Sequence, residues 1–250
     1  MMDRASLASY IDQTLLKPSA GYRAASVWLE EQVPHPFAAL CISPFLVPLT
    51  AQRLAGSVTR VCSVAAFPNG TQCTETKADE ARLLVTLGCV EVDMVINVGA
   101  VIEGDDDFVI DDVAAVVRSV DQASGGAGLV KVILETGYLN EEQIDRASRL
   151  CVLGGALFVK TSTGFGPRGA SLQDVRIMRA AVGPHIGVKA AGGIRDLPTA
   201  LAMIEAGATR IGTSSGAALL DALDAAAGGG AGAGDAASEA ATGGSATGAH

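Results

Sequence analysis

Phe158-Val-Lys-Thr-Ser-Thr-Gly-Phe-Gly166 is an apolar run that ends in Lys160 and opens directly into a glycine- and hydroxyl-rich loop. Twenty-nine residues on, Ile186-Gly-Val-Lys-Ala-Ala-Gly-Gly193 repeats the pattern around Lys189. A lysine at the end of a buried strand is a candidate nucleophile for a carbonyl carbon, and two such units point to one site.

The chemistry rests on proton occupancy. A free lysine titrates at about 10.4, so only roughly 0.04 per cent is the attacking amine at pH 7. Two ammonium groups about 5 Å apart on adjacent strands repel by roughly 3 kcal/mol at an effective dielectric of about 20. That repulsion, with desolvation, favours loss of one proton, and Lys160 can then form a Schiff base near neutral pH. The chain has five lysines against thirteen arginines. Lysine, unlike arginine, can shed its proton when buried, so lysines kept within apolar runs stand out. The plainer reading is that both snorkel from strand ends.

Asp93, in Val90-Glu-Val-Asp-Met-Val-Ile-Asn97, interrupts another apolar strand. If it faces the two lysines, it can carry protons between them; otherwise it merely neutralises a cation. Lys131 reads as structural, paired with an acid. Asp12 and Thr14 either meet a substrate hydroxyl or form a turn. Three loops, Thr161 to Gly166, Ala190 to Gly193 and Gly212-Thr-Ser-Ser-Gly216, resemble a phosphate cradle, since glycine lets backbone N–H groups approach an anion and a helix N-terminus adds partial positive charge.

These residues need a frame. Strands are expected near Ile11 to Thr14, Ala38 to Ile42, Thr59 to Val64, Val90 to Ile96, Val130 to Leu134, Leu157 to Lys160, Gly187 to Lys189 and Thr209 to Gly212. Helices are expected at Glu75 to Thr86, Phe108 to Ala123, Glu141 to Leu153, Leu172 to Val182, Leu197 to Ala206 and Ser215 to Leu223, with Asn140, Ser171 and Asp196 as N-caps. Eight strands alternating with helices close most simply into a single α/β domain, a (β/α)8 TIM barrel over residues 1–224, with reactive groups at the carboxyl ends of the strands. The competing doubly wound sheet lacks an early Gly-x-Gly-x-x-Gly. The first strand is the weakest element, because Asp12-Gln-Thr14 has no apolar run. Residues 225–250, almost wholly Ala, Gly, Ser and Thr, are expected to form a disordered tail.

With 49% apolar residues the chain has ample material for a core, and its net charge of −9 argues against nucleic-acid or anionic-membrane partners. The longest apolar stretches fall short of a membrane span. Cys41, Cys62, Cys73, Cys89 and Cys151 show no zinc-site spacing, which suits a reduced cytoplasmic protein.

The sequence resembles deoxyribose-phosphate aldolases. The likeness runs through Ile11-Asp-Gln-Thr-Leu-Leu-Lys-Pro18, Ala39-Leu-Cys-Ile42, Phe67-Pro-Asn-Gly70, Glu91-Val-Asp93, Lys131-Val-Ile-Leu-Glu-Thr-Gly137, Val159-Lys-Thr-Ser-Thr-Gly164, Val188-Lys-Ala-Ala-Gly-Gly193 and Gly212-Thr-Ser-Ser215, covering roughly residues 8 to 223. It implies a class I aldolase, without metal or other cofactor, that interconverts 2-deoxy-D-ribose 5-phosphate with D-glyceraldehyde 3-phosphate and acetaldehyde. By that likeness Lys160 is the Schiff-base lysine, Lys189 depresses its pKa, and Asp93 serves the proton transfers. Phosphate falls to Gly164, Gly192, Gly193, Ser214 and Ser215, and substrate hydroxyls to Asp12 and Thr14. Barrels of this kind often pair through helices, so a homo-oligomer is expected. Gln13 stands where many members carry His, Phe165 replaces a lysine found in some, and the tail lacks the tyrosine some members carry. Two rivals remain: a barrel that binds sugar phosphate without covalent catalysis, as an isomerase or synthase, and a catalytically silent sensor.

Overall fold

The structure, a computed structural model, describes residues 2–229. Eight parallel strands close into a barrel in sequence order: β1 Ile11–Leu15, β2 Ala39–Ile42, β3 Arg60–Ala65, β4 Glu91–Val95, β5 Leu129–Ile133, β6 Phe158–Lys160, β7 Gly187–Ala191 and β8 Arg210–Thr213. Around them lie α1 Arg4–Ser9, α2 Tyr22–Gln32, α3 Val47–Arg53, α4 Thr74–Thr86, α5 Val98–Glu103, α6 Asp106–Ser124, α7 Glu141–Leu153, α8 Leu172–Val182, α9 Leu197–Glu205 and α10 Gly216–Gly229.

The expected caps form as their side-chain chemistry dictates. Asn140 accepts from the Gln143 N–H and receives the Gln143 side chain in return on its own N–H, while Ser171 and Asp196 accept from the N–H groups of Asp174 and Thr199. The last helix runs to Gly229, five residues past the point where the tail was expected to begin. The remainder of that tail, 230–250, lies outside the described residues.

Strand alternation divides the chain between two environments. On β4, Val92 and Met94 join the large apolar core between barrel and helices, which also takes Val132, Val159, Val188 and Ile211. Glu91 and Asp93, on the same strand but the opposite face, are fully buried inside the barrel. There one part of the interior is apolar, built from Ala39, Cys41, Cys62 and Val64. The rest is filled by charged side chains, which explains why β1 has no apolar run: Asp12 is buried by pairing with cations and Gln13 by pairing with amides.

Candidate active site

Strand register brings the two lysines together. Lys160 at the end of β6 is the direct partner of Lys189 on β7, and Asp93 on β4 is the partner of Lys131 on β5. Oδ2 of Asp93 accepts from Lys160 Nζ at 2.8 Å and from Lys189 Nζ at 2.7 Å. Its Oδ1 accepts from Lys131 Nζ at 2.8 Å and from Cys62 Sγ at 3.3 Å. Gly212 on β8 makes room for Lys189, since a Cβ there would lie 3.1 Å from Lys189 Cε and 2.9 Å from Ala191 Cβ.

Beneath these groups the network continues. Lys189 also donates to Asp12 Oδ2, and Arg210 donates to Asp12 Oδ1 at 2.6 Å and to Glu91 Oε2 at 3.2 Å. Lys131 reaches Glu91 Oε2 at 2.7 Å and Asp12 Oδ2 at 3.5 Å. Lys131 is therefore paired with acids, as expected, but within the same cluster as Lys160 and Lys189 rather than apart from it. The sign of its involvement was its direct pairing with Asp93 across adjacent strands, which only the register reveals.

Burial alone would push the acids up and the amines down, yet the ion pairs outweigh it. Against burial, Lys131, Lys160 and Lys189 hold the Asp93 carboxyl well below the usual carboxylate range, and Lys189, Lys131 and Arg210 do the same for Asp12. Burial likewise works against charge on Lys189, but Asp12 and Asp93 raise it above the ordinary lysine value. Lys131 is raised in the same way by Asp93, Cys62, Asp12 and Glu91. Lys189 and Lys131 are thus fixed cations across the physiological range.

Above the cluster opens a cavity of about 430 Å³ whose lining includes Thr14, Lys160, Thr163, Gly164, Gly192, Gly193 and Ser214. Lys160 is the inner lysine that reaches it, at 3% exposure, against 1% for Lys189 and 0% for Lys131. Among the described residues, the backbone N–H groups of Gly164, Gly193 and Ser214 meet no protein acceptor. These are free donors on the wall of the cavity, suited to an anion.

Two expected positions behave differently. Asp12 is wholly buried below the cavity with both carboxylate oxygens taken by Lys189 and Arg210, so it is not placed to meet a substrate hydroxyl. Ser215 does not line the cavity, and its N–H is spent on Thr213 Oγ1 at 2.9 Å. Thr14 does line it, with its hydroxyl donated to the Asp12 carbonyl at 2.9 Å.

The wall residues that sequence reasoning missed include Lys17, Trp28 and Arg195. Lys17 and Arg195 are exposed cations at the mouth, in loops without periodicity to draw attention to them. Phe165 stands at the same mouth, half exposed, edge-on to Phe67 with ring centroids 5.4 Å apart.

A family model for the DeoC/LacD family of aldolases matches residues 9–222. A deoxyribose-phosphate aldolase from Brevibacillus brevis is 49% identical over 215 residues, covering 86% of this chain and 95% of the relative. Among solved structures, a putative deoxyribose-phosphate aldolase from Coccidioides immitis superposes with a TM-score of 0.82 at 35% identity, covering 88% of this chain and 86% of that one. The deoxyribose phosphate aldolase from Aeropyrum pernix, described as having a unique tetrameric structure, superposes with a TM-score of 0.81 at 29% identity, covering 90% and 93%.

Proposed function

The chain belongs to the DeoC/LacD family of aldolases, and from that premise we propose that it reversibly cleaves 2-deoxy-D-ribose 5-phosphate to D-glyceraldehyde 3-phosphate and acetaldehyde through a Schiff base on Lys160. The observation that carries this reading is the exposure of Lys160 to the cavity while its Nζ shares Asp93 Oδ2 with the fixed cation Lys189.

Charge balance supports the choice of nucleophile. The enclosed groups of the cluster set four cations, Lys131, Lys160, Lys189 and Arg210, against three acids, Asp12, Glu91 and Asp93; Arg60, which meets Glu91 Oε1 at 3.2 Å, is half exposed and screened by solvent. Release of one proton leaves the enclosed groups neutral, and a neutral cluster suits a low-dielectric interior. Lys131 and Lys189 each hold at least two carboxylates, whereas Lys160 holds one. Lys160 is thus the one of the three lysines that the fewest carboxylates hold, and the one that reaches the cavity.

The neutral Lys160 amine adds to the C1 aldehyde of the open-chain sugar, and loss of water gives an iminium. The iminium draws in the electrons of the C2–C3 bond as the C3 hydroxyl is deprotonated, so glyceraldehyde 3-phosphate departs and an enamine remains. Protonation at C2 and hydrolysis release acetaldehyde and return Lys160. The iminium is the electron sink, so the route calls for no metal. Asp93 serves as the proton carrier: while the nitrogen on Lys160 is uncharged at the carbinolamine stage, Asp93 faces one cation fewer and can accept a proton.

Gly164, Gly192, Gly193 and Ser214 hold the phosphate, with Lys17 and Arg195 adding charge at the mouth, while Ser215 stands behind that wall with its N–H bound to Thr213. Thr14 meets a substrate hydroxyl, and Asp12 acts through Lys189. We place the reaction in the cytoplasm, where five unpaired thiols stay reduced, and expect the chain to self-associate, as the Aeropyrum pernix relative does. No described helix is long and apolar enough to cross a membrane.

Borohydride reduction in the presence of acetaldehyde is the test. Peptide mass mapping is expected to find a two-carbon adduct on Lys160; a chain that cleaves nothing and carries no adduct there would leave only a sugar-phosphate binder.

A further inference from the structure

Glu135, just past the end of β5, is one of two non-glycine residues with a left-handed backbone among those described, at φ 52° and ψ 59°. An L-residue with a long side chain gains nothing locally from that conformation. It is also a buried acid, 3% exposed, outside the ion cluster. Its carboxylate accepts from the Thr163 N–H, at 3.3 and 3.2 Å to its two oxygens, and receives a short hydrogen bond from Thr163 Oγ1. Thr163 Oγ1 in turn accepts from the Phe165 N–H at 3.0 Å. Gly166 closes the turn against the same carboxylate, since a Cβ there would fall 2.8 Å from Glu135 Cδ.

The carboxylate therefore pins the loop on both sides of Gly164, the residue at its apex, which sits at φ +88° and lines the cavity. Strained residues at a functional site point to a role that the surrounding contacts sustain. We propose that Glu135 is a positioning residue for the phosphate end of the substrate, acting through Thr163 to hold residues 161–166 in the form that offers Gly164 to the anion. This rests on the reading of that wall as the phosphate site.

The test uses the full chain with two variants that cut the link from opposite ends. Glu135→Gly removes the carboxylate and relieves the left-handed backbone; Thr163→Val removes the hydroxyl and leaves Glu135 untouched, and carries the test if the first variant does not fold. Calorimetry with inorganic phosphate is expected to show roughly tenfold weaker binding in each variant, and KM for 2-deoxyribose 5-phosphate to rise about tenfold with kcat held within about threefold. KM for unphosphorylated 2-deoxyribose should stay put, and the two changes together should cost little more than either alone. Glu135→Gln, which keeps an acceptor, should restore phosphate binding to within about twofold.

Unchanged phosphate affinity in both variants would overturn the proposal, as would an equal loss on both sugars, the mark of a mere structural prop. A wild-type chain that binds no phosphate sinks the phosphate site and this inference together. Phosphate binding without an adduct on Lys160 sinks only the Schiff-base mechanism.

Discussion

Lys160 and Lys189 deliver their ammonium nitrogens to a single oxygen, Oδ2 of Asp93, at 2.8 and 2.7 Å. The expectation from spacing alone was bare repulsion between two cations in a dry pocket. The geometry is subtler, because a carboxylate lies between them and stabilises both. What sets Lys160 apart is the tally of the enclosed groups, in which cations outnumber acids by one and Lys160 is held by the fewest carboxylates.

Lys189→Leu puts that tally to the test. Removing this cation leaves three cations facing three acids, and Asp93 Oδ2 is then free to hold Lys160 alone. Lys160 keeps its proton more tightly, so activity at pH 7 should fall by roughly one to two orders of magnitude, with partial recovery as the pH is raised. The check is a pH profile of kcat/KM for the variant beside the wild type. A profile of unchanged shape, merely scaled down, would mean that Lys189 does not govern the proton on Lys160.

Lys160 and Lys189 were legible in the chain because each ends or nearly ends a short apolar run before a glycine turn, a pattern that needs no tertiary information. The alternation of strands and helices was equally plain from Val90 onward, where periodicity switches cleanly. Asp12 was read as either a hydroxyl contact or a turn residue because nothing local to it announces an ion pair: only the approach of Lys189 and Arg210 from strands nearly two hundred residues away buries it. The link between Lys131 and the lysines at 160 and 189 was hidden because it runs through Asp93 on the neighbouring strand, a pairing that only the register fixes. The short helices Arg4–Ser9, Val47–Arg53 and Val98–Glu103 span two turns or fewer, too little for a period to register.

Acid should undo this cluster before alkali does. The folded carboxyls of Asp93 and Asp12 lie below the unfolded value of about 3.9, so the folded state binds fewer protons than the unfolded chain in the interval between. Their stabilisation is fully present above about pH 4 and is lost as the pH falls from there through the folded values, at about 1.4 kcal/mol per pH unit for each acid. Lys131 and Lys189 have folded values above the unfolded 10.4 or so, and their contribution persists below that pH and fades only as alkali passes the folded values. Urea unfolding from pH 3 to 10 should therefore give a plateau from about 5 to 10 and a decline below 4. Asp12→Asn should flatten the acid limb, and an unaltered limb would remove Asp12 from the account.

Gln13 offers a last prediction, because its amide does two jobs at once. Oε1 accepts from the Gly216 N–H at 2.9 Å, closing the first turn of α10 beneath Ser214 and Ser215, while Nε2 donates to Gln32 Oε1 at 2.9 Å and lies 3.4 Å from the Ser214 carbonyl. Gln13 is 2% exposed, so Gln13→Ala leaves a buried donor and a buried acceptor without partners, at a cost of about 1–3 kcal/mol in urea unfolding. The loosened loop should also raise KM for 2-deoxyribose 5-phosphate more than it lowers kcat. A neutral imidazole also presents one acceptor and one donor. Gln13→His should accordingly retain both stability and KM, whereas a histidine variant as impaired as the alanine one would show that the length of the amide, not its paired donor and acceptor, is what the site requires.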